Sequence, residues 1–192
     1  MEYDLSPVPV HELLMDVLPM VESQVASKSL TLETALPDVR ETEPVYAWAD
    51  RDKLAQVLLN VLSNAIKFTP EGGRITTSLA TDGSSHVIVR ISDTGVGIPG
   101  DKLDAVFEPF VQVRSDLTRT TEGTGLGLAI SRDLARGMGG DLRATSELGV
   151  GSTFELVLRR VLEVGGEAME RRSRPERRRA DRRSGEERRS SE

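Results

Sequence analysis

Asn60, Asn64 and Lys67 stand at helical spacing in the run N-V-L-S-N-A-I-K at 60–67. Asparagine is a poor helix former in mid-helix, so a pair one turn apart calls for a chemical reason. Amide oxygens are neutral, hard ligands that suit a magnesium ion which keeps its waters and bridges phosphates. A lysine beside them adds a point charge to those phosphates. Asp93 closes the run V-I-V-R-I-S-D and opens D-T-G-V-G-I-P at 93–99. A carboxylate at a strand end accepts a hydrogen bond from an exocyclic amine such as that of adenine, and Gly95 and Gly97 let backbone approach a flat ring. Gly123, Gly125 and Gly127, in G-T-G-L-G-L at 123–128, lead into the apolar run L-A-I-S-R-D-L-A. That order predicts free backbone amides at a helix start, where anionic phosphates bind. Each block alone has an ordinary alternative: a solvated helix face, a capped turn, a tight loop. The ordered set points to magnesium ATP. The glycines are not a dinucleotide fingerprint, because no strand leads directly into them and no acidic residue waits at the end of a second strand. A G-x-x-x-x-G-K-[ST] loop is absent from the sequence.

The elements that must position these groups are legible from periodicity. With Asn60 as origin and about 100° per residue, Leu54, Val57, Leu58, Val61, Leu62, Ala65 and Phe68 fall between about 60° and 200°. Lys53, Gln56, Asn64 and Lys67 lie within about 40° of the origin, so one side of a helix is core and the other a stripe of amides and lysines. Asp50 is its predicted N-cap, and Thr69-Pro70 with Gly72 and Gly73 its stop. Upstream, Leu13, Leu14, Val17, Leu18, Val21 and Val25 predict a helix from Pro9 to about Lys28, despite Pro19. Strands are predicted over 30–36 and 45–48, and a hairpin over 74–81 and 86–92 around D-G-S-S. Lys102 to Val106 reads as a short helix, 111–122 as an irregular polar segment, and 126–138 as a helix closed by Gly139-Gly140. Two last strands, 141–146 and 152–158, turn at Gly149-Val150-Gly151.

The 192 residues, 38% hydrophobic and 29% charged, are enough for one domain with its own core and some length to spare. With no cysteine, disulfides and thiolate metal sites are excluded, and His11 and His86 are the only imidazoles. A cytosolic setting is expected, although a larger parent protein could be membrane-anchored. No apolar run reaches the roughly 20 residues of a membrane helix. The net charge of −6 hides two regions: 170–192 carries 10 arginines and 6 acids, and the preceding residues are acidic. The segment 163–192 therefore reads as a disordered Arg-rich tail that cannot bury enough apolar surface to order itself. Either a solvated linker or an electrostatic contact fits it. Interspersed acids and the lack of aromatics argue against specific nucleic-acid binding.

The three blocks, with F-E-P-F at 107–110 between the second and third, resemble the N, G1, F and G2 boxes of the ATP-binding catalytic domain of sensor histidine kinases, in the GHKL superfamily. The likeness covers about 8–160 and includes Met138-Gly139-Gly140 and G-V-G-S-T-F at 149–154. It implies an α+β fold, the Bergerat two-layer α/β sandwich, with a mixed, roughly five-stranded sheet and three helices on one face. Residues 1–7 are then a lead-in, 8–162 the catalytic domain, and about 111–122 a lid over the nucleotide. The resemblance makes Asn64 the main magnesium ligand, with Asn60 assisting, and Lys67 a phosphate contact. Phe68 would pack on adenine, Asp93 would read its amino group, and Gly95, Gly97 and Ile98 would shape the pocket. Gly123, Thr124, Gly125, Leu126, Gly127 and Leu128 would line the phosphates, and Thr153 would reach the base. Phe107 and Phe110 are either lid anchors or ordinary core aromatics.

Histidine-kinase chemistry needs a histidine to accept the γ-phosphate. His11-Glu12 superficially resembles the family's acceptor box, but L-L-M-D-V-L-P follows and a surface histidine is the better reading. The expected activity is therefore that of a catalytic domain alone, donating phosphate to a separate dimerisation and phosphoacceptor domain, in cis or in trans, with a response regulator downstream. Superfamily hydrolases resemble one another in placing a glutamate base one turn before the magnesium asparagine. Asn60 occupies that position here, which favours kinase over hydrolase. A non-catalytic nucleotide-binding module is the third reading.

Overall fold

Strict alternation in β4 (Arg74–Thr81) and β5 (His86–Asp93) sends Ile75, Thr77 and Leu79, and Val87, Val89 and Ile91, to one buried face. The computed structural model describes residues 2–36, 44–83, 85–112 and 124–162. The chain divides into two units, Met1–Leu162 and Glu163–Glu192, and every described residue belongs to the first. Gly123, the tail and all of the expected lid except Val111 and Gln112 lie outside the described residues.

The remaining strands are β1 (Ser6–Pro9), β2 (Thr31–Ala35), β3 (Tyr46–Ala49), β6 (Asp141–Glu147) and β7 (Gly151–Val161). They form one sheet in the order β1-β3-β7-β5-β4-β2, with β6 also paired to β7. β2 runs parallel to β4 and every other pair is antiparallel. The described sheet thus has seven strands where about five were expected. The strand that periodicity missed is β1, because S-P-V-P offers neither alternation nor a full set of donors.

Helices cover one face of this mixed sheet, as the two-layer expectation requires. α3 (Arg51–Phe68) runs between the predicted limits. Asp50 Oδ1 accepts from the amides of Asp52 and Lys53 at 3.0 and 3.1 Å, and Oδ2 accepts from Asp4 at 3.0 Å. Burial pushes the Asp50 pKa up, but these three amides outweigh it and hold the carboxyl below its ordinary value. Leu54, Val57, Leu58, Val61, Leu62 and Ala65 are buried, as the angular reading requires, and so is Ile66. The first predicted helix is instead α1 (Val10–Val17), a 3₁₀ turn over Leu18–Val21, and α2 (Glu22–Ser27). Pro19 has no N–H to continue the ladder, so the chain tightens for one turn and resumes. Likewise the short helix expected over Lys102–Val106 is two 3₁₀ turns, Gly100–Lys102 and Ala105–Phe107. α4 (Gly127–Gly137) completes the layer, its C-terminal turn packed so closely by Tyr3 that a Cβ on Gly137 would meet the phenol oxygen. Leu14, Leu58, Leu62, Met138, Leu142 and Leu158 form the centre of the core between the layers.

Candidate functional site

The polar stripe of α3 faces the start of α4. Asn60 Nδ2 donates to Ser131 Oγ at 2.7 Å, and Ser131 is only 1% exposed. Gly127 lies against the same amide: a Cβ there would fall 2.7 Å from Asn60 Oδ1 and 3.0 Å from Nδ2. Asn64, one turn further along, is half-buried and has no side-chain hydrogen bond among the described residues. Lys67 is half-buried, with its ammonium 5.1 Å from the centroid of the Phe68 ring. Because the Asn60 amide donates through nitrogen, its oxygen remains an acceptor beside the start of α4.

α4 begins without a side-chain cap, Leu126 being the N-cap residue. Its first helical bond runs from Ile130 N to Leu126 O at 2.9 Å, so the amides of Gly127, Leu128 and Ala129 have no partner among the described residues. Such a terminus, with the positive end of the helix dipole behind it, is suited to an anion. Thr124 is exposed, and Gly125 and Leu126 are half-buried beside it. Leu128 packs its side chain against the core, so its place in the site is through its amide.

Asp93 ends β5 on the face that carries Ile91. Its Oδ1 accepts from Gly95 N at 2.8 Å. Burial raises the Asp93 pKa above its ordinary value, against the opposing pull of the Gly95 and Ser152 amides. The loop beyond it is held on two sides. Val96 N donates to Phe68 O at 3.2 Å, at the end of α3, while Gly149 N donates to Val96 O at 2.8 Å from the β6–β7 turn. Gly97 has φ +70°, and a Cβ on it would overlap the Glu147 carbonyl, so no side chain is tolerated there. Ile98 N donates to Ser146 Oγ at 2.7 Å, and the Ile98 side chain joins the core margin. Phe68, Asp93, Gly95, Gly97 and Ile98 are thus brought together, at the same end of α3 as Asn64 and Lys67.

Thr153 is not. It pairs in register with Ser92, and the two hydroxyls lie 2.9 Å apart on the sheet face opposite Asp93. Side chains alternate along a strand, so a one-residue step changes face. Ser152 is the residue opposite Asp93, with its hydroxyl 3.0 Å from that of Ser146. Strand parity counted from buried Phe154 would have found it. Phe107 and Phe110 also separate. Phe107 packs edge-on to Phe154 at 6.4 Å, with the Arg132 guanidinium 4.7 Å from its ring centroid. Phe110 is 75% exposed with φ +64°, in a left-handed conformation that is strained for an aromatic residue.

Among the described residues no cluster of histidine, cysteine or carboxylate side chains is arranged to hold a metal. The donor set at Asn60 and Asn64 fits magnesium in another way, as amide oxygens that complete a sphere supplied chiefly by water and phosphate.

Residues 49–162 match the family model described as histidine kinase-, DNA gyrase B-, and HSP90-like ATPase. The chain belongs to this ATPase family. The chain is 39% identical over 160 residues to the aerobic respiration control sensor protein ArcB of Escherichia coli (strain K12), covering 82% of this chain and 20% of that protein. It therefore spans about a fifth of the length of that relative. Among solved structures, full-length ShkA in complex with AMPPNP superimposes with a TM-score of 0.70 at 32% identity, over 82% of this chain and 31% of that one. The mycobacterial sensor histidine kinase MprB gives 0.68 at 29% identity, over 81% and 97%. The fold that the blocks imply is therefore the fold found, and the kinase resemblance holds. No helix among the described residues of the ATPase domain is long and apolar enough to cross a membrane.

Proposed function

We propose that this domain binds magnesium ATP and donates the γ-phosphate to a histidine on a separate dimerisation and phosphoacceptor domain, in cis or in trans, with a response regulator downstream. One observation supports this above the others: α3 meets the uncapped start of α4 through Asn60, Gly127 and Ser131, and at its C-terminal end meets the loop after the half-buried Asp93 through Phe68 O and Val96 N. Asp93 accepts the adenine amino group, and the Gly95–Gly97 backbone and Phe68 flank the ring. Ser152 replaces Thr153 as the strand residue beside the base. The amides of Gly127, Leu128 and Ala129, with Lys67, hold the phosphates; Thr124, Gly125 and Leu126 lead the chain to them. Asn64 and Asn60 hold the magnesium, which supplies neutralisation of the phosphate charge. In the transfer the bond from the γ-phosphorus to the ADP oxygen breaks and a bond to the acceptor imidazole nitrogen forms. The residues of this chain contribute by positioning and electrostatics, with no covalent intermediate of their own. ATP is a cytoplasmic substrate, so the domain works in the cytoplasm.

A hydrolase would need a base at the place of Asn60, whose amide is instead tied to Ser131. The test has two parts. Titration with magnesium ATP should show Asn64→Ala with weaker binding and less magnesium dependence than wild type; equal values sink the site. Incubation with γ-labelled ATP and a separate acceptor domain should give acid-labile label on that domain. Free phosphate as the sole product would favour hydrolysis.

A further inference from the structure

The end of α3 is where the phosphate and adenine sides of the site meet, and an α-helix leaves its last four carbonyls without partners in the helix. In α3 three devices satisfy the four of them. Ala65 O accepts from Thr69 N at 3.0 Å and Thr69 Oγ1 at 2.6 Å. Phe68 O accepts from Val96 N, in the loop that follows Asp93. The two between them, Ile66 O and Lys67 O, accept from the Lys28 ammonium, both at 2.8 Å. Thr69 O accepts from the same ammonium at 2.7 Å. A lysine ammonium has three protons, and all three are used on this one turn.

Lys28 is brought there from a distant part of the chain. It follows α2, and the next residue, Ser29, adopts φ +52°, which turns the backbone sharply. Ser29 N and Leu30 N then bond back to Ala26 O and Val25 O, and Leu30 enters the core. A left-handed serine is a local cost, and here it lies beside the residue that closes the helix carrying the site.

We infer that Lys28 is a positioning residue for nucleotide binding. Its ammonium fixes the last turn of α3, and with it the directions of the Lys67 and Phe68 side chains. Through the Phe68 O to Val96 N bond it also fixes the Gly95–Gly97 loop against Asp93. Without it, three carbonyls turn to water, the last turn frays, and the two halves of the site lose their common anchor. This inference rests on the nucleotide reading of the site.

The test titrates the full 192-residue chain with magnesium ADP and records thermal unfolding alongside. Lys28→Met removes all three charge-assisted bonds and should weaken binding about tenfold or more at a temperature where the variant is folded. Val25→Ala, which loosens α2 while leaving Lys28 in place, should lower the unfolding temperature and leave affinity within about twofold of wild type. Lys28→Gln, which keeps two donors without the charge, should fall between wild type and Lys28→Met, and it decides the matter should Lys28→Met not fold. Equal affinity of wild type and the Lys28 variants overturns the inference while leaving the site intact. So does a loss in Val25→Ala as large as that in Lys28→Met, which would make the effect one of general stability. A wild-type chain that does not bind the nucleotide overturns both readings.

Discussion

Replacing Gly127 by alanine tests the contact between α3 and α4 that the site depends on. A Cβ at this position would lie 2.7 Å from Asn60 Oδ1 and 3.0 Å from Nδ2, well inside ordinary van der Waals separation, so the Asn60 side chain must move. Moving it breaks the 2.7 Å bond to Ser131 and leaves a hydroxyl that is 1% exposed without a partner. An unsatisfied buried polar group costs about 1–3 kcal/mol. Alanine is the better helix former by up to about 1 kcal/mol, less in a first turn, and recovers part of that. The net expectation is a loss of about 1–2 kcal/mol, which for a domain of this size lowers the melting temperature by roughly 2–8 °C. Asn60 is the assisting magnesium ligand of the proposed site and lies beside the start of α4, so its displacement should lower magnesium ATP affinity about tenfold or more. Differential scanning fluorimetry and nucleotide titration measure the two effects. Gly100→Ala is the control, since a Cβ there meets nothing within 4 Å and its φ is not positive. A Gly127→Ala protein that is more stable than wild type and binds ATP equally well would refute the close-approach argument.

Two further expectations concern the adenine end. Ser152→Ala should weaken ATP binding by about threefold to tenfold, the range for one neutral hydrogen bond, whereas Thr153→Val should leave it within about twofold; the reverse ranking would place Thr153 on the pocket face. Asp93→Asn should lose affinity by about tenfold or more, because a charge-assisted bond becomes a neutral one. It should nevertheless be more stable at neutral pH. Asp93 has a folded-state pKa raised by burial, so its contribution to stability is present at acid pH and is lost as pH rises through that value. Wild-type affinity for ATP should correspondingly decline as pH falls through the same value. A stability profile for Asp93→Asn that parallels wild type across this range would contradict the burial argument.

Much of this domain was legible in its sequence for definite reasons. α3 ran true because its cap, its apolar arc and its Thr-Pro stop all agree. The β4–β5 hairpin did so because its alternation is unbroken over both strands. The 3₁₀ turn after α1 was hidden because apolar spacing continues through Pro19 even where the ladder cannot. That Thr153 lies on the sheet face opposite Asp93 was hidden because the small residues G-S-T give no parity of their own until they are counted from buried Phe154. Lys28 left no local sign at all. Its role is set by three carbonyls 38 to 41 residues away, and backbone acceptors have no letter in a sequence.

The strand that was hardest to read, β1, has a consequence for how the molecule behaves among other molecules. It is the outermost strand on its side of the sheet. Val10 N donates inward to Val45 O, so residues of its parity, Ser6 and Val8, face β3, and Pro7 and Pro9 turn their nitrogens outward. Those nitrogens carry no hydrogen. An exposed β-edge ordinarily offers a template on which a second chain can add, and this one presents carbonyls without donors at both outward positions. The same prolines that disguise the strand make it a poor seed for edge-to-edge aggregation.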